Sequence, residues 1–267
     1  MGIIEILGYV GALLIGGVLG LIGGGGSILT VPVLVYLLAI NPVTATAYSL
    51  FVVGSASLVG TVKNIQKGLV EFKTAISFAI PAFIAVFSTR KFLVPAIPEE
   101  IFTVFEFTLT KDIAIMLFFA ILMLAASFSM IKDRDKLLAN KDENAKPKYG
   151  ALIPLGFVTG IITGLVGAGG GFIIIPILVI LAKLPMKSAV GTSLFIIAIN
   201  SLIGFLGDLG NINIDWVFLL IFTGLSIVGI FIGIYFSKFI DGKKLKKAFG
   251  WFVLVMGIYI MWKELSA

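Results

Sequence analysis

The sequence predicts an all-α integral membrane protein, with about ten transmembrane helices arranged as two inverted five-helix repeats with glycine-broken short helices. Three observations lead there. Apolar runs recur along nearly the whole chain, lysine and arginine concentrate in alternate loops, and a glycine-rich stretch of the first half returns in the second.

Of 267 residues, 59% are strongly apolar and 13% are charged. Soluble domains carry about a quarter charged residues. Runs of roughly 20 unalternating apolar residues read as spanning helices, because lipid leaves a backbone no partner but itself. Ten such segments fall at about 3–22, 27–40, 43–62, 72–89, 110–131, 150–166, 172–183, 186–206, 215–237 and 246–263. The second and seventh are short, near 14 and 12 residues, and are open to a re-entrant reading. Segment 3–22 has no basic leader, only Glu5, and is expected to stay as the first span. The chain has no cysteine and no histidine, which excludes disulfides, thiol chemistry and the usual zinc or copper sites. No metal and no cofactor is expected. A net charge of +6 fits basic cytoplasmic loops rather than nucleic acid.

With ten crossings, one set of alternate loops holds Lys63, Lys67, Lys73, the lysines and arginine of 132–148, Lys183, Lys187 and the lysines of 238–247. The other set holds only Arg90, Lys91, Lys111 and Lys263, a division of 16 against 4. The positive-inside rule then favours ten crossings over two re-entrant segments, in the cell membrane, with both termini outside. Residues 1–131 form the first five-span repeat, 132–148 a polar cytoplasmic linker and 149–267 the second repeat. The stretch Val94–Asp112 is expected as an external loop with an interfacial helix.

Placing residue i over residue i+144 aligns Gly16–Gly60 with Gly160–Gly204 without a gap and gives 17 identities in 45 positions. The motifs are GLIGGGGSILTVP and GLVGAGGGFIIIP, trailed by YSLFVV and TSLFII. An odd number of spans per half inserts the second half upside down, a recurrent transporter design whose substrate site lies between the repeats.

Consecutive glycines, Gly23, Gly24, Gly25 and Gly26, then Gly169, Gly170 and Gly171 after Gly167, break a helix at about 1 kcal/mol each. The short helix after each break would start inside the membrane. Its free N–H groups and partial positive charge, with Ser27 in the first turn, suit a small anion without an arginine. The stripes Ala12, Gly16, Gly20 and Gly156, Gly160, Gly164 are spaced for close helix packing instead. Polar candidates on the following spans are Ser49, Thr192, Ser193 and Asn200, with Ser57 nearby; Asn200 leads, since an amide within a span is costly unless partnered. For each hydroxyl, bonding back to its own helix is the competing reading. Pro32 and Pro176 shape the short helices. No ionisable side chain is expected in the middle of a span.

The duplicated glycine motif and the segment TSLFIIAINSLIGFLGD resemble the TauE/SafE family of sulfite exporter-like permeases over essentially the whole chain. The resemblance implies transport of small anions, often sulfite, sulfonates or related sulfur compounds, with the lipid bilayer as surroundings. The family often shows a histidine after its third span, where this chain has Asn64 and Asp208, so no imidazole proton carrier is implied. A facilitated exporter using alternating access is the reading, with an anion channel or an importer of another small organic anion as the alternative. A membrane enzyme lacks a nucleophile, base or metal set, and a scaffold leaves the duplicated breaks unexplained.

Overall fold

In a computed structural model, residues 2–104, 107–131, 149–237, 239 and 242–266 are described. The described residues are almost entirely helical. Among the described residues, eight helices are long and apolar enough to cross a membrane: α1 (Ile3–Ile22), α3 (Pro42–Gln66), α4 (Phe72–Ala96), α5 (Lys111–Ile131), α6 (Tyr149–Val166), α8 (Met186–Asp208), α9 (Trp216–Phe236) and the apolar part, Lys247–Leu265, of α10 (Gly242–Leu265). Between them lie two short apolar helices, α2 over Gly26–Leu37 and α7 over Gly171–Ile180. The polar linker 132–148 falls outside the described residues.

The structure corrects two sequence expectations. The helix expected to end at residue 89 continues through a π turn, Thr89–Leu93, and a last turn, Val94–Ala96. No breaker precedes Pro95, so apolar Phe92, Leu93 and Val94 keep the helix going. The loop after it has no interfacial helix in its described part but an antiparallel strand pair, Glu100–Val104 with Phe107–Thr110. Phe107, Thr108, Leu109 and Thr110 alternate apolar with β-branched polar residues, a strand pattern.

Packing is set by the glycines. A methyl group on Gly16 would meet the Ser226 carbonyl, and one on Gly20 the Ile230 carbonyl, so α1 and α9 cross backbone to backbone and run in the same direction. Gly160 and Gly164 of α6 meet Ala82 and Val86 of α4 in the same way. Adding 144 to Ala82 and Val86 gives Ser226 and Ile230, so the two crossings correspond under the offset of the repeat. Tyr48 and Gly60 of α3 meet Asp215 and Ile230 in that order, which makes α3 parallel to α9 and therefore to α1. By contrast, α3 and α8 are antiparallel: Leu50 lies by Gly204, Gly54 by Leu202 and Gly60 by Leu194. These two helices form the centre of the molecule, 67% buried over their apolar windows against 28% for α1 and α10. The outer helices turn Leu14, Val217, Phe231, Val255 and Trp262 outward, where lipid replaces protein contacts.

Small residues at helix crossings supply the close approach that membrane helices need in place of a hydrophobic drive. Gly16→Ala and Gly160→Ala are each expected to destabilise the fold by about 1–3 kcal/mol. Gly224 has open space around it, and Gly224→Ala should be neutral or stabilising by up to about 1 kcal/mol. Thermal melting of the detergent-purified variants distinguishes the two classes.

Candidate functional site

Both breaks open the same way. The N–H of Gly23 donates to the Leu19 carbonyl at 2.8 Å and closes α1, and the N–H of Gly167 donates to the Thr163 carbonyl at 2.8 Å and closes α6. Leu19 and Thr163 are themselves 144 residues apart. Gly23 and Gly167 then adopt φ +75° and +72°, which glycine alone takes without strain. A side chain on Gly23 would strike Val190, and one on Gly167 the backbone of Thr46.

Past these two glycines the halves diverge. The second break passes through Gly169 and Gly170, at φ +65° and +72°, into the regular helix α7. Among the described residues, the N–H groups of Ala168, Gly169 and Gly170 find no acceptor. The first break instead enters a 3₁₀ turn (Gly24–Leu29, which contains Gly25), then an α turn (Thr30–Pro32) and a π turn (Val33–Leu37). The expected regular α-helical start is therefore present only in the second half. In the first, Ser27 Oγ donates to the Gly24 carbonyl at 2.7 Å and the Gly26 N–H to the Gly23 carbonyl at 3.2 Å, tightening the turn. Gly26 packs on the backbone of Val18 and Leu19, and Pro32 brings no N–H to the ladder.

The two breaks touch. A Cβ on Gly171 would overlap the backbone of Gly24, and Ile197 lies against both Gly24 and Gly169. Ser201 Oγ approaches Gly169, and Thr163 Oγ1 lies against Gly170. Both hydroxyls are buried without a hydrogen-bond partner, as are Ser49 Oγ, Ser57 Oγ and the Asn200 side-chain oxygen. The remaining candidates are committed elsewhere. Ser193 Oγ donates to the Val190 carbonyl at 2.9 Å, the back-bonding alternative, and Thr192 Oγ1 accepts the Glu71 N–H at 3.0 Å and anchors the α3–α4 connection. Gly23, Gly24, Gly26, Gly167, Gly169, Gly170 and Gly171 are all buried, so this meeting point is closed to both faces.

Residues 9–260 match the protein family described as "Sulfite exporter TauE/SafE". The chain belongs to the TauE/SafE family. It is 27% identical over 255 residues to a "Probable membrane transporter protein" of Xylella fastidiosa (strain 9a5c), covering 94% of this chain and 92% of that one. It is 30% identical over 222 residues to the "Probable membrane transporter protein YunE" of Bacillus subtilis, covering 78% and 79%. A probable membrane transporter protein of Methanocaldococcus jannaschii is 40% identical over 115 residues, 41% of this chain and 43% of that one. No solved structure matches. The protein is a membrane transporter of this family.

This TauE/SafE chain also buries charges that its sequence assigns to loops. Arg90, in the last turns of α4, is completely buried, which corrects the expectation that the span ends at residue 89 and leaves Arg90 in a loop. Its Nε donates to Asp208 Oδ2 at 2.8 Å, and Nη1 and Nη2 both donate to Thr46 Oγ1, at 3.1 and 3.2 Å. Thr46 also packs on Gly167, so the guanidinium stands one residue away from the second break. A polar cavity of about 340 Å³ is lined by Asn41, Thr44, Glu99, Lys111, Asp112 and Asn211 among others. In it Asn41 Nδ2 donates to Asp112 Oδ2 at 2.6 Å. Ser57 and Ser201 were visible in the sequence as a repeat identity, whereas Arg90 and Thr46 carried no local signal.

Unpartnered buried hydroxyls contribute no bond to the fold and cost desolvation, so Ser201→Ala and Thr163→Val should leave stability unchanged or raise it by up to about 1–2 kcal/mol. The same variants are expected to slow substrate flux by on the order of tenfold. Gly171→Ala, which drives the breaks apart, should cost about 1–3 kcal/mol and abolish flux. Paired melting and proteoliposome measurements check all three.

Proposed function

We propose that the protein is an exporter of small anions, sulfite or a related sulfur oxyanion or organosulfonate, working by alternating access between inverted five-span halves in the cell membrane. One observation carries the reading: the two glycine breaks meet at a buried point that offers uncommitted N–H and hydroxyl donors. Donors without acceptors suit a ligand that brings only acceptors, as a desolvated oxyanion does. The description of the family, a sulfite exporter, supports the same substrate class. No catalytic chemistry is required.

The helix directions support the topology. Since α1 and α3 run the same way, residues 23–41 must return the chain across the membrane. Likewise α8 runs parallel to α4, through Thr192 with Glu71 and Gly204 with Val86, and α6 runs parallel to α4. The short segment between α6 and α8 therefore also returns. These directions support ten crossings, and antiparallel α3 and α8 suit an inverted repeat. Closure at the breaks favours an occluding carrier over an open pore.

A negative-inside potential supplies about 2.3 kcal/mol per charge per 100 mV, roughly a 50-fold gradient for a monoanion, so export needs no coupling ion. Proteoliposomes should show efflux of sulfite, thiosulfate or a short sulfonate, accelerated by a negative-inside potential, with sodium moving no faster than in empty vesicles. Movement of cations alone refutes the anion reading. In this cysteine-free chain, Asn211→Cys should label with an impermeant thiol reagent from outside and Lys67→Cys only from the cytoplasm. The reverse pattern refutes the orientation.

A further inference from the structure

We infer that Arg90, Asp208 and Thr46 form an anion-operated gate at one end of the transport path, in which the passing anion displaces the Asp208 carboxylate from the Arg90 guanidinium. The inference rests on the anion-transport reading and assigns that path a charged ligand. Position comes first. The polar cavity is lined by Thr44, two residues before Thr46, and by Asn211, whose N–H donates to the Asp208 carbonyl at 2.9 Å, so two members of the Arg90–Asp208–Thr46 knot are joined through the chain to cavity-lining residues. Thr46 itself contacts Gly167, the first residue of the second break. The knot thus connects the open cavity with the closed breaks.

The chemistry of the knot suits exchange. Arg90 uses three N–H groups on Asp208 and Thr46, and its other two N–H groups have no acceptor among the described residues. Thr46 Oγ1 is already saturated, accepting from both Nη atoms and donating to the Val43 carbonyl at 2.8 Å. An oxyanion matches the guanidinium as well as a carboxylate does, since both present paired oxygens to the planar fork. Exchange of one for the other keeps the arginine's charge compensated throughout, which a buried cation requires, while the displaced Asp208 carboxylate turns to the water of the cavity that Asn211 lines.

The repeat provides independent support. Subtracting or adding 144 places Ile234 opposite Arg90, Val190 opposite Thr46 and Asn64 opposite Asp208. There Val190 packs on Gly23 as Thr46 packs on Gly167, while Asn64 Nδ2 merely donates to its own helix, to the Gly60 carbonyl at 2.8 Å. The same architecture thus works at the other end without charges. An ion pair needed only to hold the fold would be needed at both ends, so its presence at one points to a task specific to that end.

Sulfite is the probe. Asp208→Asn removes the competitor and should lower the half-saturating sulfite concentration by on the order of tenfold, with a matching increase in the melting shift that sulfite induces. A structural pair would instead weaken binding or leave it unchanged, and either result overturns the gate. Arg90→Met combined with Asp208→Leu removes both charges at once, which avoids leaving one buried and unpaired. This double variant should melt within a few degrees of wild type and carry sulfite at the empty-vesicle rate; transport at the wild-type rate overturns the proposal. The two readings fail separately: wild type that moves no anion refutes the transport reading, whereas wild type that moves sulfite with both variants unaffected refutes only the gate.

Discussion

A helix interrupted inside a membrane exposes N–H and C=O groups that lipid cannot satisfy, and the rest of this structure depends on how two such interruptions are covered. Each half covers the other's break. Gly23 and Gly24 lie against Val190 and Ile197 of α8, while Gly167 and Gly169 lie against Thr46 and Val53 of α3. Contact this close tolerates no side chain at Gly24 or Gly171, where one backbone rests on the other. The glycines therefore do two things at once: they break the helices, and they let the broken ends be buried together.

This mutual burial ties local chemistry to global motion. Donors around the meeting point come from α6, α8 and the second break, and their neighbours from α3 and the first break. In the proposed mechanism, a shift of one half against the other changes that environment without breaking a helix, because the crossings of α1 on α9 and α6 on α4 are smooth glycine contacts. The unpartnered hydroxyls cost the folded state something in desolvation. Such a cost persists where a ligand recovers it.

The buried Arg90–Asp208 pair obeys a different logic. Desolvating two charges consumes most of what their attraction returns, so the pair adds little net stability, yet removing one partner costs about 3–5 kcal/mol. An element that is weak as a brace and costly to break unevenly is suited to exchanging one anion for another. That it occurs at one end of the repeat, with Ile234, Val190 and Asn64 at the corresponding positions of the other, is what ties it to a ligand in the proposed gate.

By itself, the sequence determined the membrane class, the helix segments, the two short helices and the positions of the breaks. Those features are written in uninterrupted apolar runs, in consecutive glycines and in identities at a constant offset, all of which act locally. It also singled out the glycines and Asn200, but it named Ser193, which bonds back to its own helix, and left out Ser201, whose hydroxyl is unpartnered. That difference depends on which way each faces between packed helices. Charge misled most. Arg90 reads as a loop residue because a lone cation in lipid is prohibitive, and only the carboxylate 118 residues away makes its burial tolerable. The 3₁₀ start of α2, against the regular start of α7, was likewise decided by packing, through Ser27 bonding to Gly24 and Gly26 pressed on α1. Only the tertiary structure could decide these points, because each is a pairing between groups whose partner is chosen by the fold and not by the neighbouring residues.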